Sequence, residues 1–390
     1  MVAHPCFFLS GGATVFRIFR AGFGGSGRSP SGPSKAPRPL QAALAAGLMA
    51  LVWSGAAMAQ NAYVSNITSN TVSVINTTNN TIVATVAVGT SPVGVAVSPG
   101  GTRAYITNHI SNTVSVINTA TNAVVATVAV GTNPWGIAVS PDGSRAYVTN
   151  TASNDVSVIN TATNAVVATV AVGPVPYGVD VSPDGSRAYV ANQGSNFVSV
   201  INTATNTVTS TITLGNSPRG VAVAPDGTSV YVVNAGDNTV SVINTATNAV
   251  ATVGVGIEPA GVAISPDGTR AYVTNFTAGT VSVINTATNT VIATVGVGTA
   301  PFGVAVTPDG TRVYIANQSS NNVSVINAAT NTVASSVPVG LAPGAFGKFI
   351  VPAALAPAPV PTLSEWAMIL LGLLLAGGAA LMIQRRRMTI

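Results

Sequence analysis

The chain has 390 residues, of which 47% are apolar and only 6% charged, against about 25% charged residues in ordinary soluble domains. Its net charge of +5 comes from the two ends, because residues 61–352 hold seven basic side chains against nine acidic ones. No nucleic-acid-binding surface is expected, since this central part has no basic excess to neutralise phosphates. The only cysteine is Cys6, so the central part has no disulfide, thiolate metal site or thiol nucleophile.

Residues 1–59 are predicted to be a leader that contains a signal peptide. An apolar stretch at 42–57 follows two basic residues and ends in the small-x-small pattern of Ala57 and Ala59, which predicts cleavage by signal peptidase after Ala59. The alternative is a membrane anchor that is retained. Residues 1–34 are rich in Gly, Ser and Pro, so either the leader is unusually long or translation starts further downstream.

Residues 60–352 consist of one unit that is repeated seven times. Its marker is a tyrosine that recurs every 41 or 42 residues, at Tyr63, Tyr105, Tyr147, Tyr189, Tyr231, Tyr272 and Tyr314. Each unit holds four short β-branched runs, which predict four strands. The sequence therefore predicts an all-β fold, a seven-bladed β-propeller of four-stranded antiparallel blades, with a β-solenoid as the alternative.

Two turn types join the strands of a unit. Pro-Asp-Gly separates the first and second runs, and Asn-Thr-Ala-Thr-Asn separates the third and fourth in most units. The one step of 41 residues falls at Val250-Ala251 and predicts a fourth strand that is one residue short.

The two ends of the repeat region predict how the ring closes. The first unit begins at its second strand, whereas residues 346–352 align with the first strand at 302–308. We expect a closing blade built from residues 61–88 plus 344–352, which leaves no open sheet edge.

Residues that differ between the units mark the candidate binding surface, because a residue that only shapes a blade should be alike in all seven. The differences cluster in two connections. One joins the fourth strand of a unit to the first strand of the next (4-to-1), and the other joins the second strand to the third (2-to-3). Both connections lie on one face of the disc. The candidate ligand-binding residues are Trp135, Tyr177, Arg219, Glu258, Phe302, Phe346 and His109, with Asp180 in a strand expected to line the axis. Such a set suits a glycan, a peptide or an envelope partner. The alternative is that the aromatic rings only plug the channel.

No catalytic, metal-binding or cofactor-binding residue is predicted. The repeat region has a single histidine, and five of its nine acids lie in Pro-Asp-Gly turns, where they are expected to hydrogen-bond the turn. Arginines that recur in phase after these turns are expected to be surface charges: Arg103, Arg145, Arg187, Arg270 and Arg312.

The C-terminal part divides into a Pro/Ala linker at 353–359 and a three-part segment at 360–390. That segment has a short motif at 360–367, an apolar run at 366–383 long enough for a transmembrane helix, and a basic cluster at 385–387. Arginines on the cytoplasmic side place the repeat region outside. The residues concerned are Val360, Pro361, Thr362, Leu363, Trp366, Arg385, Arg386 and Arg387. A plain C-terminal anchor is the alternative.

Two family resemblances follow from these motifs. The Tyr-Val-Thr-Asn runs at 147–150 and 272–275 resemble the YVTN family of propeller repeats. Residues 360–390 resemble the IPTL-CTERM sorting signal of Gram-negative bacteria, with Val360 in place of Ile and Ala367 in place of Gly.

The resemblances imply a precursor anchored transiently in the inner membrane. An exosortase-type transpeptidase then processes it for the cell surface, the outer envelope or the medium. The expected function is a non-catalytic binding or scaffold module, with a lactonase-like or redox enzyme on the same fold as the alternative.

Overall fold

The structure is a computed structural model that describes residues 60–352. The predicted leader, its cleavage site at Ala57 and Ala59, the linker and the sorting segment all lie outside the described residues. Within residues 60–352, no helix is long and apolar enough to cross a membrane.

The described residues form 27 strands. They are β1 (Asn61–Asn66), β2 (Thr71–Asn76), β3 (Thr81–Ala87), β4 (Pro92–Val97), β5 (Arg103–Asn108), β6 (Thr113–Asn118), β7 (Ala123–Ala129), β8 (Pro134–Val139), β9 (Arg145–Asn150), β10 (Asp155–Asn160), β11 (Ala165–Ala171), β12 (Pro176–Val181), β13 (Arg187–Asn192), β14 (Phe197–Asn202), β15 (Thr207–Thr213), β16 (Pro218–Val223), β17 (Ser229–Asn234), β18 (Thr239–Asn244), β19 (Val250–Gly254), β20 (Pro259–Ile264), β21 (Arg270–Asn275), β22 (Thr280–Asn285), β23 (Thr290–Gly296), β24 (Pro301–Val306), β25 (Arg312–Asn317), β26 (Asn322–Asn327) and β27 (Thr332–Pro338).

These strands form seven antiparallel sheets in which sequence neighbours pair. Blade 1 contains β1–β3, and blades 2 to 7 contain β4–β7, β8–β11, β12–β15, β16–β19, β20–β23 and β24–β27. The first strands of successive blades contact one another around the axis, and the fourth strands lie at the outer rim. The predicted seven-bladed propeller is confirmed.

The middle strands of each blade carry the core because both of their faces are covered. The second-strand tyrosines are buried to within 2% exposure in every blade, and the Val-Ser-Val-Ile core of the third strand is buried alongside them. Fourth strands instead show a mostly exposed pattern. This gradient from axis to rim explains why the inner runs are continuously apolar.

An asparagine that ends each second strand locks the blade to the preceding one. In blade 3, Asn150 is fully buried and its Nδ2 donates to Ser157 Oγ at 2.9 Å. Gly131, which follows the fourth strand of blade 2, lies against this amide, so that a Cβ there would be 2.6 Å from Asn150 Cγ. The same packing joins Gly340 to Asn66 at the ring closure.

The recurring arginines lie at the blade surface, half-buried or exposed, and they also join neighbouring blades. Each one donates to a backbone carbonyl in the 3-to-4 turn of the next blade, as Arg103 Nη1 does to Thr161 O at 2.7 Å. The second-strand tyrosine of three blades also reaches the 3-to-4 turn of the next blade, as Tyr63 Oη does by donating to Asn122 Oδ1 at 2.7 Å. The sequence period of one blade therefore also sets the contacts between blades.

The fourth strands differ in one feature. In six blades the pairing of third and fourth strands shifts by one residue, which inserts a bulge residue such as Val167 in blade 3. Strand β19 of blade 5 pairs with β18 without a shift. The missing residue at Val250-Ala251 is therefore the bulge residue.

Blade 1 receives its inner strand from the C-terminal end of the described chain. Ala62 bridges Ile350 and Asn66 bridges Pro343, both antiparallel. Tyr63 N donates to Phe349 O at 2.8 Å and Val351 N to Asn61 O at 2.9 Å, while the Phe349 ring is fully buried. Residues 343–351 thus cover the inner edge of β1.

Candidate functional site

The 4-to-1 and 2-to-3 connections meet on one face of the propeller, called here the variable face. They bond to each other there: His109 N donates to Ser91 O at 2.9 Å, and Phe276 N donates to Glu258 O at 2.9 Å. The residue between Pro and Gly at the start of each first strand lies at the centre of this face, because the first strands surround the axis. The ring thus brings together side chains that are about 42 residues apart in the sequence.

Aromatic side chains from three blades close the channel at the centre of the variable face. The rings of Tyr177 and Phe346 are 5.5 Å apart, and those of Phe302 and Phe346 are 5.3 Å apart. Val93 and Ala260 complete this buried cluster, called here the plug. The three aromatic side chains of the plug are at most 9% exposed, so they present little surface to solvent.

A ring of glycines lies directly beneath the plug. These glycines let the first strands of neighbouring blades approach closely, since a Cβ at Gly136 would overlap the carbonyl oxygen of Tyr177 in the next blade. The space left at this neck is only about 20 Å³. The glycine of the Pro-x-Gly pattern is therefore required by packing at the axis.

Trp135 and His109 lie at the edge of the plug and are half-buried. Trp135 packs on Tyr177 with 4.5 Å between ring centroids, and His109 meets Trp135 edge-on at 5.0 Å. Burial lowers the pKa of His109 below its usual value. Trp135 Nε1 and His109 Nδ1 have no hydrogen-bond partner among the described residues, although both are strong polar groups.

Arg219 and Glu258 form the charged part of the variable face. Both terminal nitrogens of Arg219 donate to Glu258 Oε1 at 3.2 Å, and Thr277 Oγ1 donates to Glu258 Oε2 at 2.6 Å. The Thr277 hydroxyl and the Arg219 guanidinium lower the pKa of Glu258. Burial raises the pKa of the neighbouring Tyr177 hydroxyl. At neutral pH the site therefore presents a guanidinium, a carboxylate and a neutral phenol side by side.

Asp180 is separated from the other candidate residues. It lines a second cavity of about 420 Å³ in the channel, below the glycine neck and bordered by the prolines of the Pro-Asp-Gly turns. Its Oδ1 accepts from Lys348 Nζ at 2.8 Å and from Val181 N at 2.9 Å, and its Oδ2 accepts from Val223 N at 3.0 Å. The cavity walls are otherwise almost entirely Ala, Val, Ile and Pro.

The candidate set did not include Lys348, Phe276 and Thr277, although Phe276 and Thr277 lie in one of the 2-to-3 connections where the units differ. Lys348 had a signal, because it replaces the Val or Ile that follows glycine in six other first strands. Phe276 packs against the plug, with 6.2 Å between its ring and that of Phe302. Within residues 60–352, no three His, Cys, Asp or Glu side chains come together in a metal-binding arrangement.

The fold and these sites define a seven-bladed propeller with a variable face and a closed channel. The sequence matches the profile of the family described as "Lactonase, 7-bladed beta-propeller" over residues 66–211, 123–252 and 207–335, which together cover more than half of the chain. The chain belongs to this family. Residues 358–387 match the IPTL-CTERM motif, so the predicted C-terminal sorting motif is also confirmed.

Solved structures share the propeller fold. Hydrazine synthase from Kuenenia stuttgartiensis is 26% identical, with a TM-score of 0.60 over 65% of this chain and 88% of that one. A protein of unknown function from Desulfotomaculum acetoxidans is 18% identical, with a TM-score of 0.64 over 74% of this chain and 99% of that one. A candidate 6-phosphogluconolactonase from Bacteroides fragilis is 17% identical, with a TM-score of 0.64 over 74% and 98%. Curated proteins contain no match to the sequence.

Proposed function

We propose that this chain is an exported propeller of the cell envelope or cell surface that binds a partner on its variable face without catalysing a reaction. The observation that carries the proposal is the Arg219–Glu258 pair beside the aromatic plug. Neither charge recurs at the corresponding position of another unit, so neither is needed to build a blade.

The shape of this face favours a surface-bound partner over a small substrate in a deep pocket. Tyr177, Phe302 and Phe346 close the channel entrance, so a ligand meets a broad surface. Ile110 and Ile257 are exposed on connections of the same face and add apolar contact area. Together with the half-buried Trp135 and the Arg219–Glu258 pair, they form a mixture of aromatic, apolar and charged groups that suits a glycan or an extended peptide.

The export part of the proposal rests on the C-terminal sorting motif at 358–387. Signal peptidase acts after Ala59, the apolar run at 366–383 anchors the precursor transiently in the inner membrane, and an exosortase-type transpeptidase processes the tail. The propeller then remains at the cell surface, in the outer envelope or in the medium.

Glycan and peptide arrays probed with the purified protein test the binding role. We expect Arg219→Ala and Glu258→Ala each to weaken binding to the bound array member by about tenfold or more, since a charged hydrogen bond is worth about 1.5–3 kcal/mol. Asp226→Asn is the matched control, because it removes a charge from the Pro-Asp-Gly turn of the same blade as Arg219. Equal binding by all variants contradicts the proposal.

The alternative is a lactonase-like or redox enzyme on the same face. The family profile and the candidate lactonase from Bacteroides fragilis favour it. The purified protein is tested for acid release from 6-phosphogluconolactone and for reduction of a redox dye, with and without added divalent metal. Turnover that is lost in Arg219→Ala replaces the binding proposal with the enzymatic one.

A further inference from the structure

The outer rim of the propeller exposes seven fourth strands, and these strands contain no Asp, Glu, Lys or Arg. Each outer strand leaves one row of backbone N–H and C=O groups without a neighbouring strand, which makes it a template for pairing with another chain. Natural proteins protect such edges with charges, prolines or bulges. Here charge protection is absent from every outer strand, so the bulges carry that role, together with Pro338 at the end of β27.

Six of the outer strands have the bulge and β19 does not. The bulge residue is exposed in each of the six: Val83, Val125, Val167, Thr209, Ile292 and Ala334. In β19 the pairs Ser241–Thr252, Val242–Ala251 and Ile243–Val250 follow one another without interruption. Strand β19 is therefore the one regular outer edge among the described blades.

Exposed apolar residues accompany this edge. Val250 is 40% exposed, and Ile257 in the connection after β19 is 58% exposed. Ile257 stands where the connections of blades 1, 2 and 6 carry Thr90, Thr132 and Thr299 and that of blade 7 carries Leu341. The departure that is confined to blade 5 is therefore the regular backbone pairing of β19.

We propose that two copies of this chain associate through their β19 strands, paired antiparallel about a two-fold axis. A two-fold axis is the commonest symmetry of protein dimers and places the same strand on both sides of the interface. With Thr252 opposite Thr252 of the second copy, Val250 of one copy lies opposite Gly254 of the other. The sequence Val250-Ala251-Thr252-Val253-Gly254 places no charge at any of these pairs.

A second copy is the fitting occupant because every one of the 27 strands in residues 60–352 already has a partner within its own blade. The added strand must therefore come from outside this part of the chain, and β19 itself supplies a strand of equal length and the same regular backbone. One pair of five-residue strands buries less than the roughly 1,200–2,000 Å² of a standard interface, so the dimer is expected to be weak and concentration-dependent. This inference does not depend on the binding role of the variable face.

Sedimentation of the purified full-length protein, in density-matched detergent, tests the proposal. Inserting one valine after Val250 restores the Val-Val-Ala-Thr sequence of blades 2 and 3 and, with it, the bulge. We expect this insertion and Thr252→Lys each to raise the dimer dissociation constant by about tenfold or more. Thr294→Lys in β23 is the matched control, because Thr294 pairs with Ser282 as Thr252 pairs with Ser241, but on a bulged edge.

Cysteine cross-linking locates the interface independently. In a Cys6→Ser background, Thr252→Cys should form a disulfide-linked dimer on mild oxidation, because directly opposed residues of antiparallel strands have Cα atoms about 4.5–5.5 Å apart. Thr294→Cys should not. A protein that stays monomeric at all concentrations overturns the proposal. So does an insertion variant that unfolds at the same temperature as the unchanged protein and dimerises with the same affinity.

Discussion

The ammonium of Lys348 reaches across the central channel to Asp180, and its Nζ lies 2.8 Å from Asp180 Oδ1. Lys348 belongs to the segment that closes the ring, whereas Asp180 is in the first strand of blade 4, 168 residues away. The side chain of Asp180 is 5% exposed and that of Lys348 is 70% exposed. The pair therefore links the closing segment to the far side of the ring at a carboxylate that has little contact with solvent.

Removing Lys348 should cost more stability than removing both members of the pair. Lys348→Ala leaves a buried carboxylate with only its two backbone donors, and we expect a loss of about 1–3 kcal/mol in the free energy of unfolding. Asp180→Ala restores the alanine found at Ala96, Ala138, Ala222, Ala263 and Ala305. Urea unfolding of both single variants and the double variant checks this. A double variant less stable than Lys348→Ala contradicts it.

Ring closure should depend on residues 344–352. We expect their deletion to expose the inner edge of β1 and to cause aggregation or a large fall in melting temperature. Phe349→Ala, which opens a cavity at a fully buried ring, should cost about 3–5 kcal/mol. Phe276→Ala is the control, since that ring is only half-buried. A truncated protein that melts like the full chain shows that blade 1 closes in another way.

Two glycines in one short segment should respond in opposite ways to alanine. A Cβ at Gly256 would lie 2.5 Å from Asn275 Cγ, whereas nothing lies within 4 Å of one at Gly254. We expect Gly256→Ala to destabilise the fold by about 1–3 kcal/mol. Gly254→Ala should be neutral or slightly stabilising, because alanine restricts the unfolded chain. Thermal unfolding compares the two variants directly. Equal melting temperatures contradict the close packing of Gly256 against the Asn275 side chain.

Acid should weaken the Pro-Asp-Gly turns. The hydroxyls of Ser140 and Ser144 lower the pKa of Asp142 from 3.8 to about 2, and Ser182 and Ser186 do the same for Asp184. A folded-state pKa below the unfolded value means that ionised carboxylates stabilise the fold above about pH 4 and that this stabilisation is lost as the pH falls toward about 2. Both carboxylates are exposed, so solvent screening keeps the effect modest.

The measurement is the urea concentration at the midpoint of unfolding, between about pH 4 and about pH 2. It is made for the unchanged protein and for the double variant Asp142→Asn and Asp184→Asn. The variant should lose less stability on acidification. A midpoint that rises as the pH falls has the wrong sign for this mechanism.

Cleavage at the C-terminus should require the motif, because the apolar run alone is sufficient only for membrane insertion. Replacing Pro361 and Thr362 should leave membrane insertion intact and block cleavage, so that full-length precursor accumulates in the inner membrane. Neutralising Arg385, Arg386 and Arg387 should instead weaken the cytoplasmic stop. Mass spectrometry of protein recovered from the cell surface or medium decides the matter. An intact C-terminus at Ile390 in that material shows that the segment is a simple anchor.

The sequence predicted much of the fold because blade structure is a local property. The 42-residue period, the Pro-Asp-Gly turns and the β-branched runs are read from residues close together in the chain, and the structure has seven blades with these turns. The short step at Val250-Ala251 was placed correctly in a fourth strand, but its consequence, a missing bulge, needed the register with β18.

The candidate site was predicted less completely. Variation between units identified the variable face, yet Tyr177, Phe302 and Phe346 turned out to pack on one another, and Asp180 lies beyond the glycine neck from Trp135 and His109. The contacts that the arginines make between blades were missed because their acceptors, such as Thr161 O for Arg103, lie in the next blade.

The sequence by itself determined the number of blades, the strands and turns within each, and the C-terminal sorting motif, since alternation and turn chemistry act over a few residues. Only the tertiary structure decided which side chains meet: Lys348 with Asp180, Arg219 with Glu258, and the three rings of the plug. The physical reason is ring closure, which brings residues from different blades to one axis at distances that no spacing along the chain records.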